Sequence, residues 1–183
     1  MLCAHTGAFA CGLTTCARGT LASRLCGLST SPRGIMPITP PTGTADPAWL
    51  GLRLALWPDT SEPEHLSGMA DAIARGHYVR LAVAADGSVL GFVEASKRAD
   101  YVNGTSSSPV AFLEGLYVVP CVRRQGVART LVESVVKWAL DEGCTELASD
   151  ALLDNRAAHT VHRALGFQET ERVVYFRRAL HEA

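Results

Sequence analysis

No apolar run in this 183-residue chain reaches the roughly 18–20 residues that a bilayer-crossing helix needs, so a membrane partner is not expected. The six cysteines, at positions 3, 11, 16, 26, 121 and 144, contain no CxxC pair and no zinc spacing, and the six histidines show no ligand spacing either. No metal is therefore expected. Cys121 and Cys144 read as unpaired thiols, which fits a reduced cytoplasm. No internal repeat is visible. Acidic residues are missing from positions 1–34, a stretch rich in Gly, Ala, Ser, Thr and Cys with no helical or strand period. It lacks the basic start and long apolar centre of a secretory signal, and the amphipathic face of a transit peptide. It reads as a disordered extension, with the true start at Met36 and one domain over residues 35–183. Without Arg18, Arg24 and Arg33 the chain holds 14 basic against 18 acidic side chains. Such a balance argues against a nucleic-acid partner and for a cationic small molecule.

What is present begins with Arg123-Arg124-Gln125-Gly126-Val127-Ala128, set between an apolar strand-like run and an amphipathic helix. A basic, glycine-containing turn at such a junction points backbone N–H groups at one spot, where the helix adds partial positive charge. That is an anion site, suited to the diphosphate of a large cofactor. The preceding run, Ala111-Phe-Leu-Glu-Gly-Leu-Tyr-Val-Val119, is apolar on both faces except at Glu114 and Gly115, as a central strand must be. A glycine inside it marks a bulge or a close backbone approach. After the turn, Val127, Leu131, Val135 and Trp138 or Ala139 recur at helical spacing, and Gly143 supplies the stop.

From residue 35 the pattern predicts a strand at Ile35–Thr39, helices at Pro47–Trp57 and Pro63–Arg75, and strands at Val79–Ala85 and Val89–Ser96 around an Asp86-Gly87 turn. A polar loop, Tyr101–Pro109, leads to the central strand and its helix. A strand at Thr145–Asp150, a helix capped by Asp154 or Asn155 and ended by Gly166, and a strand near Val173–Arg178 complete the chain. The expected fold is α+β in α/β/α layers: a mixed, mostly antiparallel sheet with a parallel central pair.

The spacing Arg-x-x-Gly-x-Ala after a strand resembles the pyrophosphate turn of the GNAT superfamily of acyl-CoA-dependent N-acyltransferases. Asn155-x-x-Ala158-x-x-x-His162-x-x-x-Gly166-Phe167 follows the superfamily's second signature, with histidine where tyrosine is usual. Further blocks, among them Tyr101-Val-Asn-Gly-Thr, Phe112-Leu-Glu-Gly-x-Tyr-Val, Glu146-x-Ala-Ser-Asp150 and Gly166-Phe-Gln-Glu-Thr-Glu171, are similar to the aminoglycoside 6′-N-acetyltransferases, over roughly Met36 to Arg178. The resemblance implies acetyl-CoA as co-substrate, an aminoglycoside as acceptor, antibiotic resistance as the outcome, and a splayed parallel strand pair; a homodimer is expected with it.

Acetyl transfer from a thioester needs a neutral amine, a held carbonyl and a proton for the leaving thiolate. A polycationic acceptor calls for carboxylates. Glu114 on the apolar strand, Asp150 at the end of its neighbour and Glu171 before the last strand are the candidates, each with a bland alternative: pairing with an arginine, capping a turn, or facing solvent. Trp57 at a helix end and Tyr101 in the polar loop are candidate substrate contacts. The resemblance implies that Leu116, Tyr117, Val118 and Asn155 hold the acetyl carbonyl and pantetheine arm, and that Arg123 to Arg129 (with Arg124, Gln125, Gly126, Val127 and Ala128 between) hold the diphosphate. His162 stands at the place of the general-acid tyrosine, with a structural histidine as the alternative. Two other functions remain open on sequence: an acetyltransferase for another amine, such as a polyamine or a protein N-terminus, and a non-catalytic acyl-CoA sensor.

Overall fold

The structure, a computed structural model, describes residues 36–180, so the reading of residues 1–34 lies outside the described residues. A five-stranded sheet in sequential order is built from β1 (Ile38–Thr39), β2 (Tyr78–Val83), β3 (Val89–Arg98), β4 (Val110–Val118) and β5 (Leu147–Ala148). The first four are antiparallel to their neighbours, and β4 and β5 run parallel. Helices α1 (Pro47–Leu56) and α2 (Glu62–Ala74) precede β2; α3 (Val127–Asp141) and α4 (Arg156–Ala164) flank β5 in sequence. This is the layered mixed sheet expected.

Local chemistry sets the boundaries. Asp46 caps α1 through the N–H groups of Ala48 and Trp49, a contact worth about 1 kcal/mol. Ser61 and Glu64 form a capping box on α2. The Asp86-Gly87 turn forms as expected, with Gly87 at φ 84° and Asp86 Oδ1 accepting the Ser88 N–H.

Two cores lie on opposite faces of the sheet. Leu113, Leu116 and Val118 of β4 pack with Val93, Ala95 and the α3 residues Val127, Leu131 and Val135. Phe92 packs on the other face with Trp49, Leu52, Leu56 and Met69, with Trp57 and Tyr117 at its margin. Leu113 and Leu116 are three residues apart, which a regular strand would send to opposite faces. A bulge resolves this. Ala95 pairs with Leu113 while Glu94 pairs with Gly115, leaving Glu114 as the extra residue.

Two expectations need correction. The strand at Thr145–Asp150 shrinks to two residues, pairing Ala111 with Leu147 and Phe112 with Ala148. The strand near Val173–Arg178 does not form: residues 165–180 carry no strand, and Val174, Tyr175 and Phe176 are 75–94% exposed. A strand exists only against a partner, and no strand among the described residues pairs with the segment.

Candidate active site

Glu114 is placed by the bulge. Its carboxylate accepts from Ser96 Oγ at 2.6 Å and from Arg98 Nη2 at 2.8 and 2.9 Å. Ser96 and Arg98 share one face of β3 because they are two residues apart. Glu114 is half-buried and ion-paired, so the bland alternative of an arginine partner holds here. Asp150 follows β5, two residues past its last paired position. It keeps an exposed edge, yet burial of the rest raises its carboxyl above the ordinary value; Arg98 and His162 pull it down and Glu114 pushes it up. Glu114 and Asp150 thus share one electrostatic site. Glu171, in contrast, sits exposed on the segment after α4, outside this group. Tyr101 is 78% exposed on its loop.

Trp57 ends α1, with its backbone N–H donating to Arg53 O. Its ring lies against the bulge: a Cβ on Gly115 would come within 2.7 Å of Trp57 Cη2. Arg53 stacks over the same ring at 4.8 Å and pairs through Nη1 with both oxygens of buried Glu94 at 2.6 Å. Trp49 Nε1 also donates to Glu94 at 2.6 Å. Burial raises the Glu94 carboxyl, and the Arg53 fork and the indole oppose that rise. His65 bridges Trp57 O at 3.1 Å and Arg53, closing the support around the tryptophan. Sequence reasoning missed Arg53, Glu94 and Arg98. Each looks like an ordinary charge on a helix or strand, and only the register puts Glu94 across from Gly115.

The Arg123–Ala128 turn leads from the end of β4 into α3. Arg124 is left-handed at φ 64°, and Gly126 at φ 90° caps α3 with no side chain bonded to the helix start. The first N–H groups of α3 therefore converge outside the helix end. Val127 is buried, so its backbone N–H is what it offers. Arg123 Nε donates to Val118 O at 2.9 Å, tying the turn to the end of β4. Gln125 Nε2 donates to Cys121 O, and Arg129 Nη2 to Ala164 O at the end of α4. Beyond Phe112, β4 continues to Val118 with no further residue paired to β5. This is the splay, and it leaves the Leu116–Val118 edge toward β5 outside the strand pairing. Asn155 caps α4 by accepting the Ala158 N–H.

His162 Nδ1 lies 2.8 Å from Ala158 O and Nε2 lies 3.1 Å from Ser149 Oγ. A carbonyl only accepts, so Nδ1 carries the proton and Nε2 of the neutral ring is an acceptor. Burial lowers its pKa below the ordinary 6.5. In this state His162 takes a proton more readily than it gives one. No cluster of three His, Cys, Asp or Glu among the described residues is arranged to hold a metal.

Known proteins are similar to this chain over most of its length. An aminoglycoside N(6′)-acetyltransferase type 1 of Stenotrophomonas maltophilia is 54% identical over 73% of this chain and 86% of its own. One of Acinetobacter baumannii is 52% identical over 71% and 89%. The solved structure of 6′-N-acetyltransferase AAC(6′)-Ih from Acinetobacter baumannii superposes with a TM-score of 0.76 at 47% identity, over 80% of this chain and 99% of that one. AAC(6′)-Iy in complex with the bisubstrate analog CoA-S-monomethyl-acetylneamine gives 0.74 at 43%, over 80% and 99%. The profile of the Acetyltransferase (GNAT) family matches residues 49–167, from Trp49 in the first turn of α1 to the Gly166-Phe167 pair after α4, and the chain belongs to that family.

Proposed function

We propose that this protein transfers the acetyl group of acetyl-CoA to the 6′-amine of aminoglycosides, and so confers resistance to them. The observation that carries this reading is the placement of Glu114 and Asp150 beside the splay, whose β4 strand runs on into the turn that opens α3. The relatives named for this activity, over most of their length, support it. Acetyl-CoA supplies the thioester. The turn at Arg123–Arg129 holds its diphosphate, and the β4 edge at Leu116–Val118 and Asn155 hold its arm. Glu114 anchors an ammonium group, with Trp57 and Tyr101 against the sugars. Asp150 takes a proton from the 6′-ammonium through water, freeing the lone pair that forms the amide. The departing thiolate needs a proton, and neutral His162 is not its donor in the state described; the proton released by the amine closes the balance.

The protein works in the cytoplasm, a reading supported by Cys121 and Cys144 standing outside any disulfide among the described residues, and no helix of the described residues is long and apolar enough to cross a membrane. It acts as a homodimer in which a second copy covers the exposed Val173–Phe176 stretch, and Glu171 then joins the site from that segment. A thiol-release assay tests the activity. Aminoglycosides with a 6′-amine should be turned over, while those without one and spermidine should not. Turnover of spermidine alone would replace this reading with a polyamine acetyltransferase. Acetyl-CoA binding with no turnover of any amine would make the protein a sensor. Light scattering before and after truncation at Thr170 tests the dimer.

A further inference from the structure

We propose that Arg98 is the resident counter-ion of the acidic pocket, a cation that the ammonium group of an incoming substrate must displace, and therefore a specificity-determining residue. This inference rests on the substrate reading of Glu114 and Asp150 given above.

The geometry is specific. Arg98 ends β3, with its guanidinium carbon 3.5 Å from the centroid of the Phe112 ring. That stack holds the planar group in place, and Nη2 reaches both carboxylate oxygens of Glu114 at 2.8 and 2.9 Å. The pair is only partly covered, with side-chain exposures of 37% and 26%, so solvent and ligands can reach it. Asp150 feels the same guanidinium, its foremost attractive charge. One cation thus pairs with Glu114 and lends its field to Asp150. The other groups around them are His162 on α4, facing Asp150, and His77 and Glu94, which face Glu114. None supplies a second fixed positive charge: both histidines are pushed toward the neutral form by burial.

Two consequences follow from a partly exposed internal ion pair. A weak cation does not compete with an intramolecular guanidinium, which acts at high effective concentration. A ligand bearing several ammonium groups does, because it meets Glu114 and Asp150 together. Arg98 so favours polycations over monoamines, and it opposes the rise that burial imposes on the Asp150 carboxyl.

Three variants test this. Arg98→Gln removes the charge, Arg98→Met keeps the stem over Phe112 if the glutamine fails to fold, and Arg98→Lys keeps the charge. The first measurement needs no substrate: carboxyl 13C NMR titration, with the Asp150 signal assigned by its loss in Asp150→Asn. In Arg98→Gln or Arg98→Met the Asp150 midpoint should rise by at least about half a pH unit, the scale of one nearby charge at a wet site, and in Arg98→Lys it should stay within about a quarter unit. An unchanged midpoint in the neutral variants overturns the counter-ion role, whatever the activity of the enzyme. The second measurement compares kcat/KM for a tetra-amine aminoglycoside and for a monoamine. The neutral variants should narrow that ratio at least fivefold and the lysine variant should restore it. An equal loss for both amines in all three variants would assign Arg98 a purely structural role. If the wild-type protein acetylates no aminoglycoside, the substrate reading fails and the titration still decides whether Arg98 governs Asp150.

Discussion

Trp57 and Gly115 are mutually exclusive with any side chain between them: a Cβ on Gly115 would sit 2.7 Å from Trp57 Cη2 and 3.1 Å from Cζ2. The ring is backed by Arg53, so it has little room to retreat. Gly115→Ala should therefore push the indole off the strand. A stability loss of about 1–3 kcal/mol in urea is expected, as for other overpacked cores, with KM for the aminoglycoside raised more than KM for acetyl-CoA. Equal KM values in a folded variant would remove Trp57 from the substrate contacts.

Glu94 has no solvent to fall back on. Neutralising it in Glu94→Gln strands Arg53 against Trp49 and Trp57, and should cost about 3–5 kcal/mol of unfolding free energy. A change below about 1 kcal/mol would show that Arg53 finds another acceptor.

The turn before α3 separates two effects at one position. Gly126 has φ 90° and open space around its Cβ site, so Gly126→Ala adds backbone strain alone, about 1 kcal/mol of stability. Gly126→Asp adds a negative charge where the diphosphate is proposed to bind. Calorimetry should show acetyl-CoA affinity nearly unchanged in the alanine variant and at least tenfold weaker, about 1.4 kcal/mol, in the aspartate variant.

Asp150→Asn keeps shape and removes charge. Acetyl-CoA affinity should persist while kcat/KM for a 6′-amino aminoglycoside drops by roughly 10 to 1,000-fold. A rise in KM alone would mean ammonium binding; a fall in kcat partly recovered at high pH would mean base catalysis. Wild-type kcat/KM at pH 7 would leave neither role standing.

His65, His77 and His162 all titrate below the ordinary 6.5, each chiefly through burial. The unfolded chain thus binds protons before the folded one as pH falls through 6.5. Their stabilisation is complete above that pH and is lost as pH drops through the lowered folded values. Asp150 runs the other way: its raised carboxyl favours the fold at low pH, and that share is lost as pH rises past 3.8 toward the folded value. Melting temperature should fall steadily from pH 6.5 to 5. A flat profile across that range would mean that these rings accept protons without loss of packing.

The β4–turn–α3 unit was legible in the sequence because it depends on local order: strand, glycine turn, amphipathic helix. Val127, Leu131, Val135 and Ala139 are all buried, as their spacing required. Glycine at position 115 foretold a bulge, and the register shift lies there. What the sequence did not reveal depends on contacts between distant segments. Arg53 and Glu94 are 41 positions apart, and Arg98 meets Glu114 only because the extra residue turns that side chain toward β3. The strand expected at Val173–Arg178 failed for the same reason in reverse: apolar composition asks for a neighbour but does not supply one.

The extra residue in β4 also acts as a parity switch for the whole second half of the strand. Deleting Glu114 would do more than subtract a carboxylate. With the count restored to an even ladder, Leu116 and Val118 would turn toward α1 and Tyr117 toward α3, exchanging the occupants of two chemically different interiors. A one-residue deletion at this point is therefore a topological lesion, whereas a substitution is a chemical one. The fold needs a residue at position 114 whatever its side chain, while the proposed site needs that residue to be a carboxylate.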